Sequence, residues 1–295
     1  SVDKGKTWTK YEANPVLLNP GIRDFRDPKV TQITKEDGKK SWLMTLAVKD
    51  RIQFYESPNL KDWMLLGEFG QGVGAHGGVW ECPDLLSMKA PDGSQKWVLL
   101  VSMNPGGPQK GSATQYFIGN FKQGVFTPDD KMIRWLDYGP DNYAGVTWSN
   151  LPADQDRTLW IGWMSNWDYA QVVPTTTWRS ATTIPREISL FDVDGTLLLK
   201  SAPARELEKL RKTSYTISKT ESLLPSTAVE ILSEVSSDDQ FSLTLSNELG
   251  EELTISKEMG LVTIDRRKSG KTNFNRDFAA SHSAPMSWKA ESIRV

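Results

Sequence analysis

The sequence predicts an all-β fold, a propeller, sandwich or barrel of short antiparallel strands, and three observations carry that prediction. Runs of β-branched, aromatic and aliphatic residues recur at short spacing between Gly, Pro, Asp and Asn clusters. Helical periodicity is confined to residues 204–212. Twelve of the 295 residues are tryptophan, and all but Trp288 lie before residue 200. Tryptophans at this density suit the packing of an all-β core, and some could serve as flat platforms for the apolar faces of sugar rings.

Taken in order, Ser1-Val2-Asp3-Lys4-Gly5-Lys6-Thr7-Trp8 has the Ser-x-Asp-x-Gly-x-Thr-Trp form of an Asp-box, a hairpin turn of propeller blades. Asp3 and Gly5 serve the turn, and Trp8 is expected to pack beneath it. Because no strand can precede Ser1, the chain is expected to begin in mid-fold. Ser41–Val48 and Ile52–Glu56 read as a hairpin around Lys49-Asp50-Arg51, and Ser57–Trp63 repeats the serine-turn-tryptophan pattern. Trp97–Met103, Ala113–Ile118 and Thr158–Met164 are further strand candidates, and Arg186–Phe191 pairs with Thr196–Lys200 across Asp192-Val193-Asp194-Gly195. At roughly 40–50 residues per blade, this half of the chain holds about four blades.

Ala204–Lys212 is the single helix candidate, with Leu207 and Leu210 on one face. Beyond it Ser/Thr/Glu alternation takes over, in Phe241–Leu245, Glu252–Ile255 and Leu261–Asp265, which is sandwich-like patterning. The expected organisation is therefore a partial propeller over residues 1–200, a linker with a short helix over 201–212, and a partial sandwich over 213–295. Glu291–Val295 reads as the opening of a strand.

Composition narrows the function. Hydrophobic residues make up 38% of the chain, enough for a core, and a net charge of −2 with interspersed signs leaves no footprint for nucleic acid or a membrane surface. The longest apolar runs, such as Trp97–Val101, are too short to span a bilayer. A single cysteine, Cys82, excludes an internal disulfide, and no Cys/His cluster resembles a metal site, so neither metal nor cofactor is expected. As a nucleophile Cys82 would need a base, yet His76 and His282 are the only histidines and neither stands in a Cys-His pattern. An inert thiol is the expectation. The glycine-rich Gly72–Gly78 joins no strand to a helix and is not a phosphate loop.

Two stretches could carry chemistry. Trp80-Glu81-Cys82-Pro83-Asp84 sets a carboxyl group among apolar neighbours, where it must be protonated, paired or working, and an apolar pocket favours the neutral acid a proton donor needs. Arg26-Asp27-Pro28 offers a second carboxylate, in a residue that its proline biases towards extended or turn structure, with an adjacent arginine as its salt-bridge partner. Far apart in sequence, Asp27 and Glu81 could meet where the inner strands of successive blades converge.

Phe25-Arg26-Asp27-Pro28-Lys29-Val30, Trp80-Glu81-Cys82-Pro83-Asp84-Leu85 and Asp137-Tyr138-Gly139-Pro140-Asp141-Asn142-Tyr143-Ala144 occur in an order that resembles glycoside hydrolase family 32. So do Ile161-Gly162-Trp163-Met164-Ser165-Asn166-Trp167, Trp178-Arg179-Ser180-Ala181 and Pro185-Arg186-Glu187. The resemblance covers nearly the whole chain and is nearest to the levanase and exo-inulinase group. It implies a five-bladed β-propeller followed by a β-sandwich, and retaining hydrolysis of β-fructofuranosides in fructans or sucrose. By the same resemblance Glu81 is the acid/base and Asp27 holds fructose hydroxyls in the transition state. Arg26 orients nearby groups, Asp141 and Tyr143 line the pocket, Trp163 or Trp167 supplies an aromatic wall, and Asn104 reaches the first subsites. Secretion, or a periplasmic location, follows by family analogy.

One part departs from the pattern. The family's nucleophile sits in a Trp-Met-Asn-Asp-Pro-Asn-Gly motif near the start of its first blade, and the only Asp-Pro here is Asp27-Pro28. The expectation is a chain truncated at both ends, lacking most of that blade and inactive in isolation. The alternatives are a fructan-binding protein without catalysis and a fructosyltransferase using the same carboxylates. Sialidase-like chemistry, suggested by the Asp-box, would require an arginine cluster for a carboxylate and a paired Tyr/Glu nucleophile, neither of which the sequence places.

Overall fold

The computed structural model describes residues 1–295 except 36, 153–154, 218–220, 225, 227, 236–239 and 287–291. Three antiparallel sheets occupy residues 25–203. The first is a meander of β1 (Phe25–Thr34), β2 (Lys40–Val48), β3 (Arg51–Ser57) and β4 (Met64–Phe69). The second runs β5 (Val79–Lys89), β6 (Gln95–Asn104), β7 (Ala113–Lys122) and β8 (Val125–Pro128), with β9 (Arg134–Trp135) also pairing with β7. The third runs β10 (Tyr143–Thr147), β11 (Thr158–Trp163), β12 (Arg186–Val193) and β13 (Thr196–Pro203).

These sheets are propeller blades, and there are three of them among the described residues where the spacing predicted about four. Successive inner strands begin at residues 25, 79 and 143, wider intervals than a minimal blade needs. Residues 1–24 form no strand, and the stretch between β11 and β12 contributes only an isolated bridge from Trp163 to Thr182.

The blades are held by two apolar layers, and β6 faces both. Leu99, Val101 and Met103 pack with Phe54, Phe69, Trp80 and Phe117 towards the first blade. Val98 and Leu100, on the opposite face of the same strand, pack with Tyr116, Trp160, Ile188 and Leu190 of the third-blade side. The unbroken apolar run that the sequence shows there is thus a strand buried on both faces. Trp80 and Trp160, both with no exposed surface, are core residues.

The Asp-box keeps its internal bonds: Thr7 N–H donates to Asp3 Oδ1 at 3.0 Å and Thr7 Oγ1 to Asp3 Oδ2 at 2.7 Å. Trp8 does not pack beneath it as expected. Its indole is 79% exposed and folds back on its own turn, donating to Gly5 O at 3.0 Å.

The short helix expected over 204–212 is a 3-10 helix over residues 205–210 and not an α-helix. So short a segment cannot repay α-helix nucleation without a buried stripe, and it buries no residue, with Leu210 72% exposed. Beyond it lie β14 (Leu232–Glu234), β15 (Phe241–Ser246), β16 (Glu252–Glu258), β17 (Leu261–Lys268), β18 (Ser281–Pro285) and β19 (Ser292–Arg294). Strands β15 to β18 form one meander, and β14 pairs with β19. The final strand predicted over 291–295 is observed over Ser292–Arg294; Glu291 lies outside the described residues, as does Trp288.

Candidate active site

The motif stretches are themselves the inner strands of the three blades, and each is interrupted at the same place. In β1, Arg26 pairs with Ala47 and Lys29 with Thr45, so Asp27 and Pro28 face one residue of β2. In β5, Glu81 pairs with Ser102 and Asp84 with Leu100, so Cys82 and Pro83 face one residue of β6. In β10, Tyr143 pairs with Trp163 and Val146 with Ile161, which sets Ala144 and Gly145 against one residue of β11. Each interruption is a β-bulge, two residues against one. Its first residue is left-handed in every case: φ is 59° at Asp27, 46° at Cys82 and 51° at Ala144. Asp27 is therefore neither extended nor in an ordinary turn, against the bias its proline predicts. Prolines 28 and 83 suit a position where the ladder is already broken, because they have no N–H to offer it.

This repetition puts Arg26, Glu81 and Tyr143 at equivalent positions on neighbouring strands, each the last paired residue before its bulge. β1 packs against β5, and β5 against β10. The three side chains meet. Arg26 Nε and Nη2 donate to Glu81 Oε1 at 3.1 and 3.0 Å, and the Tyr143 hydroxyl donates to Glu81 Oε2. Arg26 is steadied by Asp24, whose Oδ1 accepts from Nη1 at 2.6 Å. Burial first, then the bond to Glu81, pushes the Tyr143 phenol above the ordinary tyrosine range, so it is a donor throughout neutral pH.

The apolar pocket predicted around Glu81 is not what surrounds it. Trp80 and Glu81 are adjacent in a strand and point to opposite faces: Trp80 enters the core, and Glu81 meets Arg26 and Tyr143. Both carboxylate oxygens are engaged, Oε1 by Arg26 and Oε2 by Tyr143.

Asp27 and Cys82 form the adjacent pair. Cys82 N–H donates to Asp27 Oδ2 at 3.0 Å, with Sγ 3.6 Å from the same oxygen. Burial, then the Asp27 charge, pushes the thiol up to about 12, which makes it inert at neutral pH. A cleft of about 180 Å³ beside this pair is lined by Asp27, Lys29, Cys82, Asp84, Gly145 and Val146, with both bulge prolines. A larger, open depression of about 620 Å³ near Val16, Glu56 and Trp63 lies on the outer flank of the first blade and touches none of these residues.

Of the other predicted site residues, Trp163 stands edge-on to Tyr143, ring centroids 6.4 Å apart, and Trp167 is 4.9 Å from Trp163. Asn104 joins this wall indirectly. Its Oδ1 accepts from Ser112 Oγ at 2.9 Å, and Ser112 Oγ accepts from Trp167 N–H at 3.2 Å. Asp141 is directed elsewhere. Its carboxylate accepts from the Tyr169 hydroxyl and from Arg266 of the C-terminal sheet, not from the Glu81 cluster.

Sequence reasoning did not single out Asp24, Thr147 or Arg266, and it used Lys29 and Asp84 only as parts of motifs. Asp24 had a signal, since residues two apart in a strand share a face. Arg266, far downstream in a polar strand, had none. Among the described residues no group of three or more His, Cys, Asp and Glu is placed to hold a metal ion, and no helix is long and apolar enough to cross a membrane.

Comparison with known proteins identifies the family. Residues 1–201 match the model of the glycosyl hydrolases family 32 N-terminal domain, and residues 205–295 match that of the glycosyl hydrolases family 32 C-terminal domain. A levanase of Bacillus subtilis is 51% identical over 220 residues, covering 72% of this chain and 32% of the levanase. An extracellular exo-inulinase of Aspergillus niger is 34% identical over 321 residues, covering 97% of this chain and 59% of that protein. The crystal structure of an exo-inulinase from Aspergillus awamori superimposes with a TM-score of 0.79 at 30% identity, over all of this chain and 63% of that one. The chain thus spans about a third to three-fifths of the length of these relatives. Three bulged inner strands converging on one glutamate, and both family domains matched in order, place this chain in glycosyl hydrolase family 32.

Proposed function

We propose that this chain supplies the acid/base half of a retaining β-fructofuranosidase that acts on terminal fructosyl bonds of a fructan or of sucrose. The observation that carries the reading is Glu81, held by Arg26 on one oxygen and Tyr143 on the other where three inner strands meet. In the first step Glu81 gives its proton to the leaving glycosidic oxygen as the anomeric C–O bond breaks and a carboxylate bonds to the anomeric carbon. In the second, Glu81 takes a proton from the attacking water, whose oxygen displaces that carboxylate. Arg26 and Tyr143 hold the glutamate in place through both changes of charge. Asp27, with Oδ2 fixed by Cys82 N–H, presents its remaining oxygen to the sugar hydroxyls, a bond that strengthens as the ring becomes oxocarbenium-like. Trp163 and Trp167 form the aromatic wall, Asn104 supports it through Ser112, and Asp141 fixes the loop before Tyr143.

On this reading the nucleophilic carboxylate comes from outside residues 1–295, which contain no Asn-Asp-Pro segment. Names of relatives, levanase and extracellular exo-inulinase, support a fructan substrate and secretion. The test is fructose release from levan, inulin and sucrose by the whole protein. Glu81→Gln is expected to lower turnover by about 10²- to 10⁴-fold with the fold kept. Ordinary turnover in that variant would remove Glu81 from the role. Residues 1–295 alone are expected to release no fructose, and substrate binding by the whole protein without release would assign it to binding only.

A further inference from the structure

Beyond the bulges, one residue past them at Lys29 and Asp84 and two at Thr147, the inner strands are tied to one another a second time, by groups with no part in the acid/base cluster. Lys29 Nζ lies 3.2 Å from Asp84 Oδ2 and donates to Thr147 O at 3.0 Å. Thr147 donates to the same carboxylate oxygen twice, from its N–H at 3.1 Å and from Oγ1 at 2.6 Å. Asp84 is 2% exposed, and its Oδ1 has no hydrogen-bond partner among the described residues. All of its side-chain hydrogen bonds and its ion pair are therefore made through Oδ2, to residues of the first and third blades. Thr45, 2% exposed on β2, adds a bond to Pro83 O inside the second bulge at 3.2 Å.

A bulge breaks the ladder and leaves its strand free to bend and twist there. Three adjacent bulges with left-handed residues are costly to hold, since a non-glycine residue in that region carries on the order of 1 kcal/mol of strain or more. The upper cluster is a poor lock by itself, because its bonds change strength each time Glu81 gives or takes a proton in the proposed chemistry. The lower tie has no such duty, and it is buried, charged and bonded across all three strands.

We propose that Lys29, Asp84 and Thr147 are positioning residues, a buried tie across the three blades that locks the bulges and thereby fixes the separation of Asp27 from Glu81. The proposal rests on the reading of Glu81 and Asp27 given above, but its test does not. Cys82, the single cysteine, sits in the second bulge against Asp27 and reports whether that bulge is held.

The measurement is the rate at which Cys82 reacts with an aromatic disulfide reagent as a function of pH, in residues 1–295. Thr147→Val keeps volume and charge and deletes only the two bonds of the hydroxyl, the one it donates to Asp84 and the one it accepts from Lys29 Nζ at 3.3 Å, so altered reactivity is not a field effect. The expected result is at least a ten-fold faster reaction at neutral pH, restored to the parent rate by Thr147→Ser. Leu190→Ala, which opens a cavity in the core layer behind the site, is expected to leave the rate unchanged despite lowering stability. A folded Thr147→Val protein that reacts at the parent rate overturns the proposal. So does a rate increase of equal size in Leu190→Ala. Should Thr147→Val fail to fold, Thr147→Ala decides by the same criteria. In the whole protein Thr147→Val is expected to lower kcat at least ten-fold with KM within about two-fold; inactivity of that protein before mutation would count against the functional reading and leave the thiol result standing.

Discussion

Arg26 and Glu81 occupy the same place in neighbouring inner strands, and two guanidinium nitrogens of Arg26 converge on one oxygen of Glu81, at 3.0 and 3.1 Å. A third nitrogen is held by Asp24 at 2.6 Å, so the guanidinium plane is fixed before it meets the glutamate. Lysine has the charge but not the fork. Arg26→Lys should therefore behave as a loss of orientation. Hydrogen bonds to charged groups contribute about 1.5–3 kcal/mol each, so kcat/KM for fructose release by the whole protein should fall by about 10- to 100-fold. Kinetics within two-fold of the parent would show that the fork is not used.

The Cys82 thiol gives a prediction with a defined pH window. Its value is raised from 9.0 to about 12, chiefly by burial. The folded state therefore favours the protonated form, so the contribution to stability is complete below pH 9. It is lost as pH rises towards 12, where the unfolded chain releases its proton and the folded one does not. The loss can reach about 4 kcal/mol by the top of that window. Urea midpoints of the parent and of Cys82→Ala, measured from pH 8 to pH 11, should converge or cross as pH rises; parallel curves would refute the assignment.

How much of this was legible in the sequence varies by residue. Asp27 stood out as a carboxylate directly before a proline, and Glu81 as a carboxyl group among apolar neighbours; the proline after each lies in a bulge, where it costs the ladder nothing. The all-β class was legible from strand spacing, and β6 from its unbroken apolar run. The short helix was legible near residue 204 but its type was not, because a Leu-x-x-Leu spacing fits either helix and only burial, absent here, separates them. The neighbours of Glu81 were misread because sequence adjacency was taken as spatial proximity, whereas alternation in a strand sends Trp80 and Glu81 to opposite faces. The tie of Lys29, Asp84 and Thr147 was invisible because it depends on register between strands that are far apart in the chain.

Gly145, the second residue of the third bulge, is required by a close approach. A Cβ there would lie 1.7 Å from Cζ2 of Trp160, whose side chain has no exposed surface and no room to retreat. Gly145→Ala should cost more than about 3 kcal/mol, at the upper end for overpacking. Gly195, in the turn between β12 and β13, is the control: nothing lies within 4 Å of its Cβ position, but φ is +82°. Gly195→Ala should cost only the left-handed strain, about 1–2 kcal/mol. Urea denaturation of the two variants decides, and a Gly145→Ala protein as stable as Gly195→Ala would mean that Trp160 can move.

Asp141 and Arg266 join the third blade to the C-terminal sheet, and their coupling can be measured. Their side chains are 20% and 13% exposed, so the pair is largely screened from water. Arg266 also donates to the Tyr169 hydroxyl at 2.8 Å and lies over the Phe278 ring at 4.0 Å. Removing the cation alone, in Arg266→Met, leaves a mostly buried carboxylate without its charge partner and should cost about 3–5 kcal/mol. Removing the carboxylate charge alone, in Asp141→Asn, leaves Arg266 its bonds to Tyr169 and to Phe278 O, and should cost less. The double variant removes both charges together, so its loss should fall short of the sum of the single losses by about 1.5 kcal/mol or more. Additive losses in urea denaturation would mean that the two sheets are held by the apolar contacts of Tyr169, Phe274 and Phe278 and not by the ion pair. A coupled result would make Arg266 the residue through which the C-terminal sheet fixes the loop that delivers Tyr143 to Glu81.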